Sequence, residues 1–450
     1  VFVLHFFGFI ANSKKIMGEP VECLLSNKET LQKIERDVFH EICLHKLNLE
    51  IINEKILIDC NEDLLEVDLH AVKVNSLTHT SAIKRRPIVF IHGMNTGPIY
   101  FRNILHLFAE DASVDIYLLA LPGFGLVDFP SSLLGGSPKN ILDFYSSYLK
   151  EVFTKLFADC VPDVVGHSFG AFLSGYFYSN NPTLIRSLVI VNGIGLVTYT
   201  GNYGKHWSIF FGMGVPLFFT RPFGNELNLF FEFLAEHVFS VKERNANLFF
   251  LLSTTCQKNC SDIIFSKFFT TNYINSFFKY PIGNFLFAKG LNISFVWGID
   301  DPIIEYHVSK VFSDISLFTE ATPFRVCFVL GGEHDPVKHN NGKDFYKAIV
   351  HLLQDNVYIQ NENKSKKTEA LRLLNHLQDT AIHYDECTNV FCTETTENHI
   401  RKIYSRITEN DWFSSEALKN KFYIVDKKEN IKTLDYSNYF TLKEFANIMK

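Results

Sequence analysis

The sequence predicts an α/β protein, with a mostly parallel sheet covered by helices on both faces. Three observations carry that expectation. The 450 residues are 47% apolar and 20% charged, enough to bury a large core and too apolar for a disordered chain. Between about residues 86 and 198, short continuous apolar runs alternate with segments of helical spacing. Continuous apolar strands belong in sheets buried on both faces. The alternation breaks near residue 199 and resumes near residue 291.

Ser26-x-x-Glu29 reads as a capping box and predicts a helix to about Lys46. Residues 49–60 and 64–74 alternate as two antiparallel strands. Residues 87–91 form the first wholly apolar strand, followed by a loop and a helical stretch to Ala109. Residues 114–121 are the next strand and 140–157 the next helix. The strand at 161–165 runs directly into a helix at 170–181, which Pro182 stops. Further strands fall at 184–191, 293–297 and 324–330, and residues 342–354 form a closing helix. Residues 361–367 are a polar linker to a mixed, charged tail with helical pieces at 369–379 and 441–450.

A net charge of −6 with no Lys/Arg-rich block gives no electrostatic footprint for nucleic acid. Nine scattered cysteines, an odd number without a repeated framework, fit mostly free thiols in a reducing compartment. Cys256-x3-Cys260 and Cys387-x4-Cys392 would suit disulfides only in a secreted chain. His40, Cys43 and His45 lack a second Cys pair, so they are read as helix decoration and no metal is expected. Residues 1–11 are apolar apart from His5, too few to span a bilayer, which takes about 20 as a helix. They read as the end of a signal-peptide core or as translated sequence ahead of Met17, and the Val1 start reads as a fragment or processed chain. Residues 207–219 are apolar but short and broken by Pro216 and two glycines, so no transmembrane helix is expected. The expected location is cytoplasmic or peripherally membrane-associated, with secretory entry left open by the apolar N-terminus.

Chemistry enters at Gly166-His167-Ser168-Phe169-Gly170, a G-x-S-x-G run. The pattern alone is common, but here it ends a strand and opens a helix, the sharp turn called a nucleophile elbow. Gly166 and Gly170 remove side chains that would clash there, and Ser168 is left at the tip. A serine hydroxyl needs a base, and the base needs an orienting carboxylate. Two later strands run into Gly298-Ile299-Asp300-Asp301 and Gly331-Gly332-Glu333-His334, placing a carboxylate and then a histidine at strand carboxyl ends, where parallel sheets build sites. Asp300 and Asp301 compete for the acid role. Asp335 follows His334 too closely to turn back to its ring and is read as loop structure. His92-Gly93-Met94 ends the first apolar strand, so the backbone N–H groups of Met94 and Phe169 would form an oxyanion hole. His92 is expected to bond backbone rather than substrate. No P-loop, GxGxxG or HExxH pattern competes.

On these residues the sequence resembles the α/β-hydrolases of the single-domain esterase and lipase type, over about residues 64–355. The family's His-Gly loop falls on His92 and Gly93, its elbow on residues 166–170, its acid loop on Gly298-x-x-Asp301 and its histidine on His334. The family's spacing selects Asp301 over Asp300. Leu121-Pro122-Gly123-Phe124-Gly125 resembles another family loop, with Ala120 and Val127 standing where the family usually has Asp and Ser. A serine nucleophile argues against dehalogenase and epoxide hydrolase chemistry. The His-x4-Asp of some acyl-transferring relatives is here His334-x4-His339, which does not match.

The resemblance implies an α/β-hydrolase fold with a helical lid insertion and a C-terminal appendage. The expected organisation is an N-terminal segment and helix (1–48), the first part of the core (49–198), a lid (199–288), the second part of the core (289–358), and linker plus appendage (359–450). Residues 199–288 hold 18 of the chain's 45 Phe, many as adjacent pairs such as Phe218-Phe219. That enrichment reads either as helix cores in a Phe-rich chain or as an apolar acyl-binding cap that touches membrane. The expected function is hydrolysis of a small-molecule or lipid ester, or of a thioester or amide, with an apolar acyl group and no cofactor. The alternative is a catalytically silent scaffold whose lid or appendage binds a partner.

Overall fold

The computed structural model describes residues 28–43, 47–60, 63–77, 85–94, 96–108, 113–194, 264, 291–298, 301, 325–329, 332–354, 384–385, 390–391, 422–425 and 431–434. Ser26, His45, Asp300, the insertion at 199–288 apart from Ile264, the two candidate disulfide pairs and the helical pieces at 369–379 and 441–450 lie outside the described residues.

The chain starts with helix α1 (Lys28–Cys43) and a long antiparallel hairpin, β1 (Leu47–Cys60) and β2 (Asp63–Ser76). Then come β3 (Arg86–Ile91), α2 (Arg102–Phe108), β4 (Val114–Leu119), α3 (Pro138–Leu156), β5 (Asp163–His167), α4 (Phe169–Asn180) and β6 (Ser187–Val191). After the insertion follow β7 (Ile293–Gly298), β8 (Arg325–Val329) and α5 (Lys343–Gln354). A small antiparallel pair, β9 (Tyr384–Asp385) and β10 (Val390–Phe391), stands as its own sheet. The last strands are β11 (Phe422–Val425) and β12 (Ile431–Leu434).

The main sheet runs β1-β2-β4-β3-β5-β6-β7-β8-β11-β12. From β4 through β11 every pairing is parallel, while β1, β2 and β12 join antiparallel. The chain order explains this: each parallel neighbour is reached through a crossover, and the two consecutive hairpins lie at the edges. Side chains in the central strands alternate between two buried faces. Val89, Ile91, Val164, Leu188 and Phe295 pack under α3 and α4. Ile88, Phe90, Val165, Val189 and Val296 pack under α1, α2 and α5. The α/β-hydrolase architecture, with a mostly parallel sheet covered on both faces, is therefore present.

The details differ from the sequence expectation in several places; β6, for one, begins at Ser187 rather than at residue 184, where the Leu184 N–H instead donates to the Asn181 carbonyl in a turn. β5 starts two residues later than expected and extends through Gly166 and His167, because both find ladder partners, Gly166 opposite Ile91 and Ile190, and His167 opposite Val191. α3 begins at Pro138, where Ser137 caps the helix by accepting the Asn140 N–H at 3.3 Å and Pro138 occupies the first turn without needing a donor. The tail contributes two strands to the sheet, with β11 beside β8; the run Phe422-Tyr423-Ile424-Val425 has the aromatic and β-branched make-up that strands favour.

Cys60, Cys160 and Cys327 are thiols rather than disulfides. No helix among the described residues is long and apolar enough to cross a membrane.

Candidate active site

Five strands of the parallel run deliver residues to one edge of the sheet, at their carboxyl ends. β3 delivers His92, Gly93 and Met94; β5, Ser168; β6, Asn192; β7, Asp301; and β8, His334. A site is assembled here because helices cover both faces of the sheet and leave the strand ends as the open edge.

Ser168 sits at the strand-to-helix turn with φ 51° and ψ −114°, a conformation that side-chain-bearing residues rarely adopt. The surrounding backbone holds it there. Its N–H donates to the Val191 carbonyl at 2.9 Å, and its own carbonyl accepts from Phe172 at 3.2 Å. The two elbow glycines are required by close approach. A Cβ at Gly166 would lie 2.7 Å from Ala171 Cα, and one at Gly170 would collide with the carbonyl oxygens of His92 and Ile91.

The structure brings Ser168, His334 and Asp301 into one relay. His334 Nε2 lies 3.0 Å from Ser168 Oγ, and His334 Nδ1 lies 2.9 Å from Asp301 Oδ2. A carboxylate only accepts, so Nδ1 carries the proton and Nε2 presents its lone pair to the serine hydroxyl. Burial alone would lower the pKa of His334, but the charge and hydrogen bond of Asp301 outweigh it and raise the imidazole above its ordinary value. Asp301 is 5% exposed.

Asn192 holds the carboxylate in turn, and sequence reasoning missed it. Its Nδ2 donates to Asp301 Oδ2 at 2.5 Å and its Oδ1 accepts the Gly298 N–H at 3.1 Å. Its backbone is left-handed, with φ 43°, which asparagine tolerates better than most residues. The available signal was a polar residue directly after the apolar run at 188–191, at a strand carboxyl end.

His92 is fully buried and does not reach the relay. Its Nε2 accepts the Leu121 N–H at 3.1 Å, and its Nδ1 donates to the Gly93 carbonyl at 2.7 Å. Burial lowers its pKa to about 4, so it stays neutral and ties two loops together. Phe169 is the first residue of α4, where backbone N–H groups point out of the helix end beside Ser168. Its side chain packs in the core, and that of Met94 packs against the same core half-buried. Asp335 lies in the loop, where its carboxylate accepts from Tyr100 and Lys338. No group of three or more His, Cys, Asp or Glu side chains suited to a metal ion occurs among the described residues.

A family model described as alpha/beta hydrolase fold matches residues 86–349, more than half the chain. The chain belongs to the α/β-hydrolase fold family. That span contains the His92-Gly93 loop, the elbow, Asn192, Asp301 and His334. Among solved structures, the chain is similar to a bacterial membrane phospholipase A described as a virulence factor, at 13% identity over 78% of this chain and 97% of that one, with a TM-score of 0.48. It is also similar to a 2-hydroxy-6-oxo-6-phenylhexa-2,4-dienoate hydrolase from Rhodococcus sp. strain RHA1, at 14% identity over 68% and 99%, with a TM-score of 0.47. An esterase from Exiguobacterium antarcticum matches at 13% identity over 67% and 100%, with a TM-score of 0.45. Likenesses at this level bear on neither substrate nor mechanism. No curated protein sequence matches the chain.

Proposed function

We propose that the chain is a serine hydrolase cleaving a carboxylic ester, or a thioester or amide, that carries an apolar acyl group. The observation that supports this is the Ser168–His334–Asp301 relay, with both of its hydrogen bonds at 3.0 Å or less. Ser168 Oγ attacks the carbonyl carbon while His334 Nε2 takes the hydroxyl proton. Asp301 stabilises the resulting imidazolium. The oxyanion of the tetrahedral intermediate is held by the backbone N–H groups of Met94 and Phe169. Collapse expels the alcohol, thiol or amine, which takes its proton from His334, and leaves an acyl-Ser168 ester. Water, deprotonated by His334, then attacks that ester and frees the carboxylic acid. No step calls for a cofactor.

The apolar acyl group rests on the Phe content of residues 199–288, read as a lid whose aromatic walls take the chain and whose outer surface meets a lipid surface. Ile264 is the described residue within that insertion. It is fully buried, and its Cδ1 lies directly against Gly123. The alternative of a silent scaffold has no physical need for a strained serine aligned with a histidine and a buried carboxylate. The test is hydrolysis of p-nitrophenyl octanoate by the purified protein. Turnover that disappears in Ser168→Ala supports the reading, and no turnover on any ester, thioester or amide tried favours the scaffold.

A further inference from the structure

Behind the relay lies a second set of polar groups that the reaction does not use. His167 is 3% exposed and stacks on Tyr100, with ring centroids 4.6 Å apart and planes at 17°. Its Nε2 lies 2.8 Å from the main-chain carbonyl oxygen of His334 and 3.2 Å from Tyr100 Oη. A carbonyl only accepts, so Nε2 carries the proton and donates. Tyr100 donates its own O–H to Asp335 Oδ1 at 3.1 Å, and Lys338 Nζ donates to Asp335 Oδ2 at 2.7 Å. His167 Nδ1 is left as a bare lone pair, buried and without a hydrogen-bond partner among the described residues. It faces Gly93, where a Cβ would stand 2.9 Å from it, so a glycine there leaves room for the ring. Burial first, then the neighbouring His334, lowers the pKa of His167 to about 4 and keeps the ring neutral.

We propose that His167 is a positioning residue: its Nε2–H, braced by Tyr100 and Asp335, anchors the main chain of His334 and so sets the distance from His334 to Ser168. The inference rests on the relay reading above and extends it. The loop bearing His334 begins and ends with local turn bonds, Gly332 N–H to Val329 O and Lys338 N–H to Asp335 O. Those bonds fix its shape but do not tie it to the elbow. Asn192 Nδ2 also donates to the Glu333 carbonyl at 3.3 Å, which ties the loop to the end of β6; the tie to the elbow itself comes from the residue beside the nucleophile. Ser168 and the group that anchors its base are neighbours in sequence at the end of β5, so one turn carries both ends of the relay. An arrangement that must hold a reacting pair near 3 Å loses rate steeply when either side shifts, by about a hundredfold for 1 Å.

The test separates anchoring from packing. His167→Phe keeps a flat ring against Tyr100 but has no donor, whereas His167→Gln loses the ring but offers an N–H at nearly the same reach. With a soluble p-nitrophenyl ester, His167→Phe should lower kcat about tenfold or more and leave KM within about twofold, because the loss falls on alignment rather than binding. His167→Gln should recover kcat to within about threefold of wild type. Tyr100→Phe, which removes only the brace, should cost about threefold, and less than that again in the His167→Phe background, as members of one network do. Wild-type kcat in His167→Phe, or equal losses in the Phe and Gln variants, would overturn the proposal. If His167→Phe fails to fold, the decision passes to Tyr100→Phe, where unchanged kcat would overturn it. Turnover that survives Ser168→Ala would bring down the relay reading and this inference together. Ser168-dependent turnover that His167→Phe leaves intact would bring down this inference alone.

Discussion

At Ser168 the backbone is bent to φ 51° and ψ −114°, and strain of that kind costs about 1–3 kcal/mol and persists only where the surroundings impose it. The fold imposes it through two glycines and a hydrogen bond to β6. The hydroxyl so exposed meets His334, whose basicity Asp301 raises. A pH dependence follows. His334 must be neutral to accept the serine proton, and Asp301 stabilises its protonated form, so activity should fall as pH drops through a value above the ordinary 6.5. Asp301→Asn should cost roughly 10⁴ in kcat and move that acid limb to lower pH, since the stabilising charge is gone. Asp300→Asn should cost at most about tenfold. Steady-state rates across pH for both variants check this, and the opposite ranking would move the acid to Asp300. At this scale the elbow, the acid loop and His334 were legible because glycines and strand ends mark them along the chain. Asn192 and Tyr100 were not. Their roles come from partners 109 and 235 residues away, Asp301 and Asp335; the strand-end position of Asn192 marks a place for a functional residue but not its partner.

Among the elements, the central strands were legible because both of their faces are buried, which leaves continuous apolar runs such as 88–91 and 188–191. Their ends were less so. Gly166 and His167 are strand because their neighbours offer ladder partners, β3 and β6 for Gly166 and β6 alone for His167. The start of α3 was carried by Ser137-Pro138, a cap and first-turn pair that apolar spacing does not register. The insertion between β6 and β7 carries the specificity prediction. Each buried CH₂ contributes about 0.8 kcal/mol, so an acyl chain taken up more fully in the transition state should gain kcat/KM with length. p-Nitrophenyl octanoate should be cleaved at least about tenfold better than the acetate, by the same transfer argument. Replacing Phe218 and Phe219 with Ala should flatten the slope and leave acetate turnover nearly unchanged, with thermal unfolding measured in parallel. A flat chain-length profile in the wild type would remove the apolar acyl substrate and leave the Phe content as core packing.

Across the whole molecule, the two edges of the sheet have separate duties. The carboxyl ends of the strands gather the site. At the opposite edge, fully buried Asp163 at the start of β5 accepts from Arg86, from Arg186 and, at 2.5 Å, from Ser187, while Arg86 also donates to the Leu353 carbonyl of α5 at 3.0 Å. This cluster ties β3, β5, β6 and α5 together far from the chemistry. Asp163→Ala should destabilise the fold by about 3 kcal/mol, the low end for a broken buried ion pair because the arginines remain partly exposed. Denaturant unfolding measures the loss, and activity per folded molecule should not change. The gathering of distant segments at the other edge is also what makes the central claim testable at one atom. The most direct measurement is reaction with an alkyl fluorophosphonate followed by peptide mapping. One adduct is expected, on Ser168, absent in Ser168→Ala, with labelling slowed about as much as hydrolysis in Asp301→Asn. A folded wild-type protein that takes no label, or takes it on another residue at the same rate with Ser168 removed, would contradict the relay.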